Sequence, residues 1–277
     1  MAFIVDNALI KRVRRAVFSD LATGGIYFNA TEIENPNLSI TSEGTTKNDA
    51  FGSPIATFYN GDSAEFSAEN SMFSMGILSN QFGDDLEIAD EDHKIIVPDV
   101  YVTKVGADAD GNKNTTITLP HVPYGAVAGS EVPYIYIQEK NKVLSKKYAV
   151  GAAVSATEFT VDAKNKTITL PEDAEIKPDT IIFVSYEYES TSAVKTDKVS
   201  GVEPRVGKLI VHVIFCDPCN KNLEYAGWLV FGNAQLSPEV DITFDTESTH
   251  PFSFTCQKEW CGEEGKLLSV IVAGDEE

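Results

Sequence analysis

The chain has 277 residues, and its 42 acidic side chains against 22 Lys and Arg give a formal net charge of −20. Proteins that coat nucleic acid need clustered Lys and Arg to neutralise phosphates, so this composition argues against that class. No run of 18 apolar residues is present, and no apolar stretch follows the N-terminal charges. We therefore expect neither a membrane-spanning helix nor a signal peptide, and a protein that is made and kept inside a cell.

The N-terminal part of the chain contains its main cluster of positive charge. Residues 6–20 fit either a short helix or an extended arm, and this segment carries Lys11, Arg12, Arg14 and Arg15. Such a cluster either contacts an acidic neighbour or forms a solvated face. The segment from Ile26 to Asn29 follows it and predicts the first strand.

Two strands with a polar loop between them are predicted next. Leu38 and Ile40 alternate with polar neighbours, as in a half-buried strand. The segment from Thr41 to Asn48 is polar, contains a glycine and has no apolar period, so it predicts a loop. The residues from Ile55 to Tyr59 alternate again, and Asn60-Gly61 predicts a turn after this second strand.

A helix is predicted over Glu69 to Phe82. Ser67 fits the capping position before it, and Glu69 would face the helix dipole in the first turn. Gly83 fits the position after the C-terminus, where a positive φ is common. The apolar residues of this segment recur at steps of three and four, which places them on one helical face: Met72, Met75, Leu78 and Phe82.

The chain changes character after an acidic stretch from Asp84 to His93. From there to about residue 201, short strand patterns alternate with turns, which suggests a small β-sandwich of immunoglobulin-like type. The predicted strands are Asp99–Val105, Ile117–Leu119, Tyr134–Gln138, Lys147–Val150, Phe159–Asp162, Thr167–Leu170 and Ile181–Glu189.

Longer strand patterns return in the C-terminal part, where they predict an antiparallel sheet. These strands are Lys208–Phe215, Tyr225–Phe231, Val240–Asp245, Phe252–Thr255 and Leu267–Ala273. The sequence therefore predicts a mainly β protein, an antiparallel β-sandwich or barrel with one principal helix. In this prediction a core domain of residues 1–95 and 203–277 is interrupted by an inserted β-sandwich-like domain of residues 96–202.

Four segments of the predicted core domain resemble the tail tube (major tail) proteins of tailed bacteriophages. Two of them, Asp49–Ile55 and Ala64–Asn70, lie in the N-terminal part, and the other two, Pro238–Asp245 and Gly265–Val272, lie near the C-terminus. The resemblance covers residues 1–94 and 203–277, and the middle region departs from a minimal tube protein. It implies a structural subunit of tail-tube fold and not an enzyme.

The resemblance also implies how the subunit works. In that family, subunits form rings, usually hexameric, that stack into a hollow tube through which DNA passes to the host cell. The tube belongs to the virion tail, is assembled in the host cytoplasm and contacts other tail proteins, and strand-edge pairing between subunits would close each ring.

The resemblance assigns three groups of residues to this assembly. The predicted loop would contact the neighbouring ring through Thr41, Ser42, Glu43, Gly44, Thr45, Thr46, Lys47 and Asn48. The predicted helix would lie between neighbouring subunits and carries Glu69, Met72, Met75, Leu78 and Phe82. The lumen of such a tube is typically acidic, and candidates to line it are Asp84, Asp85 and Glu87.

Three other classes of protein compete with this interpretation. A baseplate or capsid-decorating protein would share the β content without forming long tubes. A carbohydrate-binding β-protein is disfavoured by the absence of a signal peptide and by the cysteine usage. An enzyme is the least favoured, because the sequence has no Walker A string, no dinucleotide-binding glycine motif and no nucleophile motif beside its four histidines.

The four cysteines form two pairs in the C-terminal part. Cys216 and Cys219 are separated by two residues, and Cys256 and Cys261 by four. If neighbouring strands bring the pairs together, four thiolates can bind zinc in a tetrahedral site. Free or partly buried thiols are the alternative, and disulfides are disfavoured in a reducing cytosol. No cofactor other than this candidate zinc is indicated.

Overall fold

The computed structural model describes residues 7–125, 130–220, 222–258 and 265–274. They form a mainly β protein with antiparallel sheets and, among these residues, one helix, which confirms the predicted fold class. The chain divides into two compact units. We call the described residues up to Leu86 and from Thr196 onward the core unit, and Glu87–Lys195 the insert unit. The predicted insert, 96–202, is shifted toward the C-terminus relative to the observed unit.

The elements follow the chain through the two units. The core unit begins with β1 (Leu9–Ser19), β2 (Ile26–Ala30), β3 (Ile33–Asn48), β4 (Pro54–Asn70) and α1 (Met75–Phe82). The insert unit contains β5 (Glu87–Ile88), β6 (Ile95–Lys104), β7 (Thr116–Thr118), β8 (Pro123–Tyr124), β9 (Tyr134–Gln138), β10 (Leu144–Val150), β11 (Glu158–Asp162), β12 (Thr167–Thr169), β13 (Ile181–Ser190) and β14 (Val194–Lys195). The chain then returns to the core unit with β15 (Val206–Cys216), β16 (Glu224–Leu236), β17 (His250–Cys256) and β18 (Ser269–Ala273).

The core unit is built on one curled sheet with the order β2-β1-β15-β16-β17-β4-β3, in which β18 also pairs with β16. Strand β15 explains why this sheet has a buried side, because its alternate residues Leu209, Val211 and Val213 are buried and apolar. They join a cluster that contains the fully buried rings of Phe18 and Phe254. The predicted alternation of apolar residues in this part of the chain therefore corresponds to a sheet with one face packed in a core.

Two predictions for the core unit are wrong. Residues 9–19 form neither the predicted short helix nor an extended arm but strand β1, which pairs with β15 at every position except Lys11 and Arg14. The segment Val240–Asp245 alternates as a strand does, yet it forms no strand in the described chain. Both errors concern pairing with distant segments, which a local pattern does not contain.

The predicted loop of residues 41–48 is also wrong, because these residues form the outer half of β3. They pair with β4 in a long antiparallel hairpin, from Thr41 opposite Ser63 to Asn48 opposite Pro54. The predicted turn at Asn60-Gly61 lies inside β4 and forms a bulge instead. Gly61 has φ of 71° there, a conformation that glycine adopts without steric cost.

The helix begins later than predicted. Strand β4 continues to Asn70, so Ser67 and Glu69 are strand residues, and Ser74 is the cap, with its side chain accepting a hydrogen bond from the Ile77 backbone N–H. The predicted C-terminus is confirmed, since Gly83 has φ of 78° and a Cβ there would overlap the carbonyl oxygen of Glu203. No helix in the described ranges is both long and apolar enough to cross a membrane.

The insert unit contains every strand predicted for it. Its main sheet has the order β6-β13-β9-β10-β11-β12-β7, with β8 pairing to β13, and its own core of buried side chains. One pair in this sheet, β10 with β11, is parallel. A separate two-stranded sheet joins β5 and β14, which the sequence did not predict. These two strands lie at the start and the end of the insert unit.

Candidate assembly surfaces

The outer half of the β3–β4 hairpin is the most exposed regular element of the core unit. All of residues 39–63 except Ala56 are exposed, whereas the inner half of the hairpin buries Ala64, Phe66 and Ala68. A strand rises about 3.3 Å per residue, so eight residues carry the hairpin about 26 Å beyond this core. A two-stranded ribbon without a packed face is marginally stable in water.

Large apolar side chains lie along this exposed ribbon. Phe51 at the turn is 94% exposed, and the strands add Ile40, Ile55, Phe58 and Tyr59, all of them exposed. Apolar side chains scattered singly on a surface need no explanation, but several on one narrow hairpin indicate a contact surface.

The hairpin keeps its shape through polar contacts between its strands. The hydroxyls of Thr46 and Thr57 lie 3.0 Å apart across the strands. At the turn, the Asp49 carboxylate accepts hydrogen bonds from the backbone N–H groups of Phe51 and Ser53. These contacts join the two strands and the turn while leaving the apolar side chains in solvent, so residues 41–48 form part of a paired ribbon and not a loop.

The residues predicted to contact a neighbouring ring therefore lie together on one strand. They are Thr41, Ser42, Glu43, Gly44, Thr45, Thr46, Lys47 and Asn48, all of them exposed. The partner of this strand is residues 54–63, which carry Ile55, Phe58 and Tyr59. Their alternation was noticed as a strand, but its pairing with the polar segment was not.

Of the residues predicted to lie between subunits on the helix, Met75, Leu78 and Phe82 are in α1, at the spacing of one helical face. Glu69 is in β4, and Met72 precedes the helix and is exposed. Met75, Leu78 and Phe82 are half-buried, while the buried residues of α1 are Ile77, Ser79, Asn80 and Gln81. The helix thus packs on its own core unit mainly through a different face from the predicted one.

Buried polar side chains connect helix α1 to strand β17 through hydrogen bonds. The backbone N–H of Ser74 donates to Nδ1 of His250 at 3.3 Å, and the other ring nitrogen, Nε2, lies 2.9 Å from Oε1 of Gln81. Because Nδ1 accepts a hydrogen bond, the proton of the neutral ring belongs on Nε2, which donates to Gln81. Gln81 in turn donates to the carbonyl of Pro251. His250 and Gln81 are fully buried, and the sequence analysis identified neither.

Burial of His250 predicts a specific acid sensitivity. Burial lowers the pKa of His250 from 6.5 to about 4. Between these pH values the unfolded chain binds a proton at His250 that the folded chain does not. The unfolding free energy is therefore not reduced by His250 above about pH 6.5, and it falls as the pH drops toward 4. In this pH window we expect the unfolding free energy of His250→Gln to depend on pH less steeply than that of the wild type, by about 1.4 kcal/mol per pH unit.

Urea denaturation of the wild type and His250→Gln between pH 7 and 4 tests this expectation. Titration of carboxylates contributes equally to both proteins, so the difference between their curves isolates the imidazole. Parallel curves would contradict the assignment of a neutral, buried His250.

The three carboxylates proposed for a lumen each have a neighbour in their own chain. Asp84 accepts a hydrogen bond from the Asp197 backbone N–H at 3.1 Å. Asp85 forms an ion pair with Arg205, and Glu87 lies 3.9 Å from the ammonium group of Lys195. Exposed ion pairs of this kind contribute little stability. They do offset local negative charge, and the place of these residues in a lumen stays a prediction.

The four-cysteine zinc site is only partly described by the structure. Cys216 and Cys256 are buried in strands, Cys219 is exposed in a turn, and Cys261 lies outside the described residues. Among the described residues, no three His, Cys, Asp or Glu side chains form a metal-ligand group. Burial, aided by the nearby Glu65 carboxylate, raises the pKa of the Cys256 thiol to about 11.

The different burial of the cysteines predicts different reactivity. In a Cys261→Ser variant at pH 7.5, we expect a maleimide to modify Cys219 quickly and Cys216 and Cys256 only after unfolding, because the thiolate is the nucleophile and access limits the reaction. Mass spectrometry of peptides over time measures each site. Native-state labelling of Cys256 as fast as Cys219 would contradict its burial. Elemental analysis of the unmodified chain decides separately whether zinc is bound.

Comparisons with known proteins do not add a family to these observations. No protein-family model matches the chain, and the curated proteins give no significant match to it.

Proposed function

We propose that the chain is a structural subunit of the tail tube of a tailed bacteriophage, which assembles into hexameric rings that stack into a hollow tube for DNA. The observation that carries this proposal is the projecting β3–β4 hairpin, a paired ribbon whose exposed apolar side chains have no core in a single copy to pack on. Stacking against a neighbouring ring would bury them. The sequence resemblance includes the turn of this hairpin, Asp49–Ser53.

The composition supports the same proposal. A formal charge of −20 on each copy repels DNA, and a channel that does not bind phosphates lets DNA slide without friction from ionic contacts. DNA would thus pass through the tube without specific binding. In this proposal the subunit performs no catalysis, and its partners are other copies of itself and other tail proteins.

Sedimentation velocity tests the contribution of the hairpin side chains to assembly. We expect a Phe51→Ser/Tyr59→Ser variant to remain a monomer at concentrations where the wild type forms large species, because both rings are exposed in the single copy and would be buried by stacking. The control is Val143→Ser, which removes an exposed apolar side chain from the insert unit and should leave the stacking contacts of the hairpin intact. Wild-type protein that stays monomeric under all conditions would contradict the proposal.

A further inference from the structure

The segment between β16 and β17 has the sequence pattern of a strand but pairs with no strand in the described part of the chain. Val240, Ile242 and Phe244 alternate with polar residues, and Phe244 is 89% exposed. From 240 to 244 the backbone belongs to no sheet in the described chain. Strand-forming sequences normally pair their backbone groups, so this segment has an unused capacity for pairing.

Hydrogen bonds attach the segment to the core unit at both of its ends. Before it, the backbone N–H of Ser237 donates to the carbonyl of Ser253 at 2.8 Å. After it, the hydroxyl of Thr249 donates to the Glu69 carboxylate at 2.8 Å. These anchors hold the start and end of the segment against the core unit, so binding of its middle to a partner would order few additional residues.

An open strand edge exists elsewhere in the core unit. Strand β2 pairs with β1 only from Ala16 to Ser19. In the described chain, Leu9, Ile10, Arg12, Val13 and Arg15 pair with β15 on one side, with irregularities at Lys11 and Arg14, and no strand pairs with Leu9–Val13 on the other side. An unpaired edge of this length offers backbone donors and acceptors to an added strand.

The unpaired segment and the open edge have opposite charges. Residues 237–249 contain no Lys or Arg and carry Glu239, Asp241, Asp245 and Glu247. Strand β1 contains no Asp or Glu and carries Lys11, Arg12, Arg14 and Arg15, in a chain whose charge is otherwise strongly negative. Arg12 and Arg15 are exposed, whereas Lys11 forms an ion pair with Glu224 of its own chain. Complementary charge favours the correct partner and opposes pairing of the acidic segment with acidic surfaces.

We propose that residues 240–245 of one copy add as a strand to the open edge of β1 in a second copy. The contact joins two different surfaces, so each copy keeps one free segment and one free edge, and the contact repeats from copy to copy. Paired in this way, Val240, Ile242 and Phe244 share one face of the extended sheet. The proposal rests on the proposed function in that it supplies a lateral contact between copies of a self-assembling subunit.

Binding of a synthetic peptide to the full-length protein tests this contact without requiring tubes. The probe is a fluorescent peptide of residues 237–249, and anisotropy measures its affinity. We expect Arg12→Glu/Arg15→Glu in the protein to weaken binding by about tenfold or more, because two attractive charges become repulsive. A peptide carrying Asp241→Lys and Asp245→Lys should bind this variant better than the unchanged peptide does. Absence of peptide binding to the wild type, or no rescue by the reversed charges, would overturn the proposal.

A proline in the segment tests the backbone pairing in the intact chain. Thr243→Pro removes a backbone N–H that has no partner strand in the single copy, so the monomer should fold normally and associate at least tenfold more weakly. Thr243→Ala is the matched control and should associate as the wild type does. If peptides bind as expected but no tubes form, this contact stands and the tail-tube proposal fails. If Thr243→Pro assembles like the wild type, this contact is wrong and the tail-tube proposal stands.

Discussion

Shortening the β3–β4 hairpin is expected to abolish assembly and leave the subunit folded. Thr41 and Ser63 are cross-strand partners whose hydroxyls lie 2.7 Å apart, so an Asn-Gly turn can replace Ser42–Asp62 between them. All of the deleted residues except Ala56 are exposed, so the unfolding free energy should change by no more than about 0.5 kcal/mol. Loss of the exposed apolar side chains removes the surface proposed to stack between rings.

Sedimentation velocity and urea denaturation together measure this expected result. The control shortens another exposed turn, Asp108–Asn112 in the insert unit, which the isolated bridge between Ala107 and Lys113 closes. This control should assemble as the wild type does. A hairpin-shortened protein that forms the same large species as the wild type would show that the hairpin is not a stacking element.

Phe18→Ala is expected to be the most destabilising single substitution described here. The Phe18 ring is fully buried, and its centroid lies 4.9 Å from that of Phe254 and 5.6 Å from that of Phe28. Removing a buried aromatic ring leaves a cavity and costs about 3–5 kcal/mol. A domain is stabilised by only about 5–15 kcal/mol, so the core unit would lose a large part of its stability.

Urea denaturation followed by circular dichroism checks this value. Phe51→Ala is the matched control, because the same ring is removed from a side chain that is 94% exposed, and it should change the unfolding free energy by about 0.5 kcal/mol or less. The insert unit has its own buried cluster, so any separate transition of that unit should not shift. A cost below about 1 kcal/mol for Phe18→Ala would contradict the packing described for the core unit.

The sequence predicts strands best where a strand has one buried face. Strand β9 was predicted with the bounds that the structure has, because Ile135 and Ile137 are buried and alternate with more exposed neighbours. The same pattern identified β15. In both strands the local alternation and the tertiary packing agree, so distant contacts did not have to be known.

The outer hairpin shows why a paired strand can escape prediction. Residues 41–48 bury no face, so they have no apolar alternation, and Glu43, Gly44 and Lys47 suggest a loop. The available signal was weaker: Thr41, Thr45 and Thr46 are β-branched and favour strands. Pairing with residues 54–63 overrode the polar pattern.

The start of the helix was misplaced because two serines fit the capping position. Ser67 and Ser74 both precede residues with helical spacing, but Ser67 lies in β4 opposite Ser253 of β17. That partner is far away in the sequence, and no local rule contains it. The buried contact between Gln81 and His250 depends on the same distant pairing, so the sequence alone did not reveal it.

The segment Val240–Asp245 fails in the opposite direction. Its alternation predicts a strand, yet residues 240–245 pair with no strand in the described chain. An error of this kind is expected where a sequence is adapted to an assembly and not to the isolated subunit.

Negative-stain electron microscopy of the purified full-length protein tests the central claim most directly. The proposal predicts stacked rings or hollow tubes when the protein is concentrated, and their absence when the hairpin between Thr41 and Ser63 is shortened. Wild-type protein that appears only as separate monomers at every concentration, while remaining folded by circular dichroism, would contradict the claim that this chain is a self-assembling tube subunit.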